Sequence, residues 1–138
     1  LDLADTKNNR RTLYAIISRH NLDPLLRLFD FPDPNITSDG RPVTTVPLQQ
    51  LFVLNSPLMA TSAKALAGRC CEAKADDRAR IQCAFEGVYG RPPTDEDLRL
   101  GLEFVAGSDA AGDEQNKLTR WEQYAQALLS TNEFMFVD

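Results

Sequence analysis

Apolar residues recur along this chain at helical spacing, and one stretch, Val46-Pro-Leu-Gln-Gln-Leu-Phe-Val-Leu-Asn-Ser-Pro57, breaks the usual one-sided pattern. If Pro47 opens a helix, Leu48, Leu51, Phe52, Val53 and Leu54 fall on every side of it. A helix that is apolar all round belongs inside, with neighbours on several faces. A helix this short is marginal alone and must be held by packing. The spacing predicts a helix from about Pro47 to Leu54, with Asn55 in a left-handed C-terminal position. Ser56 then caps the next helix and Pro57 takes its first position.

The remaining elements follow from periodicity and punctuation. Leu13, Ile16, Ile17 and His20 have helical spacing from Arg11, ending at Asn21. Asp23-Pro24 restarts a short apolar helix or turn through Leu25, Leu26, Leu28, Phe29 and Phe31, which Pro32-Asp-Pro34 ends. A Pro-rich loop over 32–46 follows, long enough to be functional or to pack on itself. After Pro57, Leu58, Ser62, Ala63, Leu66, Ala67 and Cys70 form a narrow face of small residues running to about Ala75. Asp76 caps the helix bearing Ile81, Ala84, Phe85, Val88 and Tyr89, and Gly90 ends it. Arg91-Pro92-Pro93 is a rigid connector, and Thr94 caps a helix whose first turn holds Asp95, Glu96 and Asp97, where the macrodipole favours carboxylates. Its apolar set is Leu98, Leu102 and Val105, widened by Leu100 and Phe104. A loop spans 107–113, and a last helix runs from about Asn116 to Thr131 before Phe134-Met-Phe136 packs the chain end. No stretch both alternates with period two and carries β-branched residues. The fold class is all-α: a compact, orthogonal or irregular bundle of six or seven helices in a single domain over 1–138, with residues 1–9 frayed.

Composition changes this picture little. At 138 residues, 43% apolar and 25% charged, the chain suits one globular domain with a real core. No run approaches the ~18 apolar residues of a membrane span. The abrupt start at Leu1 suggests an excised or processed piece of a longer protein. The net charge of −5 is uneven: residues 1–69 hold eight Lys/Arg against six Asp/Glu, and residues 70–138 hold seven against fourteen. Nucleic acid is not an expected partner, since no basic run exceeds Arg10-Arg11.

Candidate chemistry is sparse. No GxSxG, SxxK or phosphate-cradling loop occurs, so no catalytic and no cofactor-binding residue is assigned. His20 with Cys70, Cys71 and Cys83 lacks zinc spacing, and His20 reads as an interior or boundary residue. Asp30, Asp33 and Asp39, and likewise Asp109, Asp113 and Glu114, lack the spacing of a calcium loop, so no metal site is assigned. In a hairpin of the two cysteine-bearing helices, Cys83 falls nearer Ala67 than Cys70, about one turn out of register, so buried thiols are expected. Gln49 and Gln50 stand out on the central helix, because a buried amide without partners costs about 1–3 kcal/mol. The expectation is that Gln49 and Gln50 tie the loop at 35–46 to the core by side chain-to-backbone bonds; a polar patch facing a partner is the alternative.

Several short motifs together carry a resemblance: Arg10-Arg11-Thr-Leu-Tyr14, Phe29-Asp30-Phe-Pro32, Pro47-Leu-Gln49 with Leu54-Asn55, Gly90-Arg-Pro-Pro-Thr94, and Ala127-Leu-Leu with Asn132-Glu-Phe134. The chain resembles the C-terminal domain of unknown function in large secreted proteins of Planctomycetes, which often carry a c-type cytochrome domain. It departs from that pattern at Val46, where a Thr is usual, and in a loop with Arg41 as its single basic residue. The resemblance implies an exported setting, periplasmic or cell-surface, with haem in another domain and no cofactor in this piece. Its signature positions here are Arg11, Pro47, Gln49, Asn55, Ser56, Pro57, Arg91, Pro92 and Asn132. The function it implies is a non-catalytic structural or interaction module that docks against upstream domains of the same polypeptide, with weak self-association through an exposed apolar patch. The alternative is an accessory portion of an extracellular or periplasmic enzyme, polysaccharide- or redox-related, whose active site lies elsewhere. Docking predicts a large exposed apolar patch; an enzyme part predicts a concave pocket with convergent polar groups; a ligand-binding bundle predicts an internal cavity.

Overall fold

A computed structural model describes residues 7, 10–37, 39–40, 47–107 and 118–135. Through these run a 3-10 turn, Thr12–Tyr14, and seven α-helices; no strand occurs among the described residues. The all-α expectation is met. The chain divides into two compact units, Leu1–Leu58 and Met59–Asp138.

In the first unit, α1 is Pro24–Leu28 and α2 is Pro47–Asn55. The helix expected from Arg11 does not form. Arg11 supplies no side-chain cap, and the backbone is extended again by Ala15 at φ −74°, ψ 148°. Next come Ile16 and Ile17, whose branching at Cβ restricts χ1 in a helix. Leu13 and Ile16 remain 80% and 83% exposed, so no packing compensates the cost of nucleation. His20 is exposed as well, not interior.

Asp23 caps α1, its side chain accepting from Leu25 N at 2.8 Å. The helix stops before the prolines. Phe31 N donates to Leu26 O at 2.9 Å and Asp30 N to Arg27 O at 3.3 Å, around Asp30 at φ 56°. This is the Schellman arrangement with an aspartate where glycine is commonest. A short polar side chain tolerates that left-handed conformation better than most. In the following loop, Asp33 Oδ1 accepts from Asn35 N at 2.9 Å, and Asn35 Nδ2 reaches Arg19 O at 3.0 Å. The expected frayed end at 1–9 apart from Lys7, much of the 32–46 loop and the 108–117 segment lie outside the described residues.

The expectation of an enclosed α2 is corrected. Only Gln49 and Val53 are buried, while Leu48, Leu51 and Leu54 are 63%, 52% and 52% exposed. Asn55 is helical, not left-handed: Ser56 N still donates to Phe52 O at 2.8 Å, so no reversal is needed, and Asn55 Nδ2 bonds Leu51 O at 2.9 Å. Ser56 is buried, and its hydroxyl accepts from Leu58 N at 3.2 Å, starting α3 as expected.

The second unit holds α3 (Pro57–Ala73, beginning at the unit boundary), α4 (Asp77–Tyr89), α5 (Asp95–Ala106), α6 (Arg120–Leu129) and α7 (Asn132–Met135). Its core joins Ala63, Leu66, Ala67 and Cys70 of α3 to Ile81, Ala84 and Phe85 of α4 and Tyr124, Ala125, Leu128 and Leu129 of α6. Caps fix these helices. Asp76 accepts from Ala79 N, Gly90 at φ 68° closes α4, and Thr94 with Asp97 forms a capping box on α5. The last long helix begins later than Asn116 because a second capping box, Thr119 with Glu122, sets its start.

Two packing details differ from expectation. On α5, Leu98 and Val105 reach the core, but the fully buried residue is Gly101. A Cβ there would lie 2.7 Å from Tyr124 Oη and 3.0 Å from Ile81 Cδ1, so glycine permits the approach of α5 to the core. The cysteine register is also corrected. Helix α3 ends at Ala73 and Asp76 is used as a cap, which moves the centre of the turn along the chain. Cys83 therefore faces Cys70, with the sulfurs 2.7 Å apart, and Gly87 faces Leu66.

Candidate functional site

An apolar concavity lies in the first unit. It is a groove of about 610 Å³ whose lining includes Leu13, Ile17, Leu26, Phe29, Phe31 and Phe52. Local structure puts each wall in place. The Asp23 cap starts α1 so that Leu25 and Leu26 face the groove. The left-handed Asp30 then turns Phe31 back beside Leu26, the apolar contact that usually accompanies this helix ending. Phe29 meets Phe52 of α2 edge-to-face, with ring centroids 5.8 Å apart.

Gln49 fixes α2 against α1. Its side chain is 5% exposed, and Nε2 donates to Leu28 O at 2.9 Å, satisfying a carbonyl that the short α1 leaves unpaired. The need for a partner was legible; the partner was not. It is Leu28 O at the end of α1, while residues 41–46 of the loop that Gln49 was expected to hold lie outside the described residues. On the opposite side of α2, Leu48, Leu51 and Leu54 succeed one another at i, i+3 and i+6 as an exposed stripe. Tyr14 and Ile36 are exposed too, at 69% and 68%. Thr12 gives the groove a polar edge, and among the described residues its lining includes no ionisable side chain. Such a surface can bury apolar side chains of another molecule; its described residues offer no groups for acid–base chemistry.

The signature residues of the second unit meet at a different place. Arg91 sits on the connector between α4 and α5. Its Nε and Nη2 bind Glu133 Oε1 and Oε2 at 2.6 and 2.8 Å, and Nη1 binds Asp97 Oδ2 and Pro92 O at 3.2 Å each. The guanidinium also stacks over Phe85 and Tyr89, 5.4 and 5.5 Å from their centroids. Bonding to Glu133 and Asp97 raises the Arg91 pKa. The Thr94 backbone amide, more than Arg91, holds the Asp97 carboxyl below its ordinary range, while Arg91 does the same for Glu133. Tyr89, its pKa raised by burial, donates to Leu128 O at 3.0 Å and touches the Thr131 hydroxyl at 2.9 Å. A cleft of about 300 Å³ opens beside these groups, with Phe104 and Tyr124 on its walls. Asn132 opens α7, next to Glu133. Arg91, Pro92 and Asn132 thus come together; Pro47, Gln49, Asn55, Ser56 and Pro57 gather on and just beyond α2, and Arg11 precedes the 3-10 turn. Glu133, Asp97 and Tyr89 were missed as partners of Arg91, since nothing local in sequence links positions 91 and 133.

Among the described residues, no group of three His, Cys, Asp or Glu is placed to hold a metal ion, and no helix is long and apolar enough to cross a membrane. No curated protein and no solved structure matches the chain. One family model does, over residues 2–105, which takes in the groove, α2 and the core helices through α5. The chain accordingly belongs to the family described as PSD1, protein of unknown function (DUF1553).

Proposed function

We propose that this chain is a non-catalytic interaction module that docks, through the apolar groove and the leucine stripe of α2, onto upstream domains of a larger exported polypeptide. The observation that carries the reading is the exposure of Leu13, Ile16, Leu48, Leu51 and Leu54 beside an open apolar groove. Exposed apolar surface of this kind marks interaction sites. The exported, periplasmic or cell-surface setting, a Planctomycete origin and a neighbouring c-type cytochrome domain rest on the sequence resemblance alone. The same stripe favours weak self-association at high concentration.

An accessory role in an enzyme has one observation in its favour, the cleft beside Arg91 with its shifted carboxylates. That guanidinium is already committed to Glu133, Asp97 and Pro92, which leaves it a joint more than a ligand-binding group.

The test is a pull-down of the 138-residue chain with the upstream domains of its parent protein. Association is expected at micromolar concentration, and Leu48→Ser with Leu51→Ser and Leu54→Ser should abolish it while the helical circular dichroism is kept. No association of the unaltered chain at that concentration overturns the docking reading.

A further inference from the structure

Cys70 and Cys83 sit opposite one another on α3 and α4, thirteen positions apart in sequence, with their sulfurs 2.7 Å apart. A disulfide bond is about 2 Å long, so the two atoms need only a small approach to be joined. Cys70 is 1% exposed, Cys83 is half-buried, and Cys71, the next residue along α3, is half-buried. The three thiols are therefore not equivalent. One pair is aligned by the helix hairpin, and the third cysteine is the sequence neighbour of Cys70 on α3.

We propose that Cys70 and Cys83 are an oxidisable pair that closes an intramolecular disulfide across the α3–α4 turn and leaves Cys71 as a thiol. With a small disulfide R–S–S–R as oxidant, the Cys83 thiolate attacks one sulfur and expels RS⁻, giving a mixed disulfide at the more accessible partner. The Cys70 sulfur, once deprotonated, attacks Cys83 Sγ and expels the second RS⁻. Two thiols lose two electrons and two protons in all, and the oxidant leaves as two RSH. Burial, then the contact with Cys83, pushes the Cys70 thiol up to about 12, which disfavours Cys70 as the first attacking thiolate.

The experiment exposes the folded 138-residue chain to oxidised glutathione, then denatures it, alkylates free thiols and measures the mass. Two of the three cysteines should resist alkylation, and the tryptic peptide 70–74 should be found linked to 81–99. Cys71→Ser, which leaves the aligned pair intact, should give the same link and no alkylatable thiol. The oxidised chain should melt at a higher temperature than the same chain after reduction, because the link constrains the unfolded state. Three alkylated cysteines, a mixed disulfide that never closes, a link through Cys71, or a bond between two chains would each overturn the proposal.

Discussion

The two units of this molecule spend similar apolar sequence in different ways. The second, Met59–Asp138, buries small residues on α3 against Ile81, Phe85 and Tyr124 and closes its helices with four side-chain or glycine caps, at Asp76, Gly90, Thr94 and Thr119. The first, Leu1–Leu58, has short helices, a buried polar tether between α1 and α2, and leucines left in solvent. Apolar content by itself therefore does not make a core. What distinguishes the units is whether small residues let helix backbones approach. Gly101, Ala63, Ala67 and Ala84 do this in the second.

This contrast can be broken most strongly at Gly101. Gly101→Ala should cost about 2 kcal/mol in urea unfolding, the range for overpacking a tight core. The intrinsic helix preference of alanine, worth about 1 kcal/mol in the opposite direction, offsets only part of a larger clash. Gly87→Ala is the matched control: its added Cβ would meet chiefly the flexible end of Arg69, which can move aside, so it should be neutral or slightly stabilising. Equal effects at the two glycines would dismiss close approach as the distinguishing feature.

Gln49→Ala comes next and addresses the first unit. It removes the bond from Gln49 to the end of α1 and leaves Leu28 O without that donor, at a cost of about 1–2 kcal/mol. A melting temperature that stays unchanged would show that the tether contributes nothing.

The smallest effect is expected at Arg91→Met, read as a change in pH dependence. Asp97 and Glu133 have folded pKa values below their ordinary ones, so the folded state binds fewer protons than the unfolded chain in that range. Their stabilisation is present at neutral pH and fades as pH falls below the ordinary carboxylate values, near 4.5 for Glu133 and 3.8 for Asp97. In Arg91→Met, melting temperature at neutral pH should drop modestly, and the loss on acidification should shrink. It should not vanish, because the Thr94 amide still holds Asp97. Thermal melts from pH 7 downward would check both parts.

What could be read in the sequence was what depends on near neighbours. Asp23-Pro24, Ser56-Pro57, Asp76, Gly90 and Thr94 each act within one helical turn, and all stand where their chemistry put them. Thr119 with Glu122 obeys the same rule and was a readable signal passed over for the longer apolar pattern. Arg11 to His20 shows the converse: helical spacing without caps or a packing face does not make a helix. Long-range facts left no local mark. The partner of Gln49 lies 21 residues away and that of Arg91 42 residues away. The register of Cys70 with Cys83 depended on the turn length to within three residues. The exposure of Leu48, Leu51 and Leu54 was equally hidden, since an apolar stripe looks the same in sequence whether it meets a core or a second molecule.

The position of α6 has a practical bearing on how this family is handled. The family match stops at Val105, yet Tyr124, Ala125, Leu128 and Leu129 supply much of the surface that Ile81 and Phe85 rest on. A recombinant fragment trimmed to the matched residues would discard that surface and display the inner faces of α3, α4 and α5 to water. Such a fragment would bind many things without specificity. For biochemical work on relatives of this chain, the boundary should be drawn after the counterpart of α7, where Glu133 still holds Arg91.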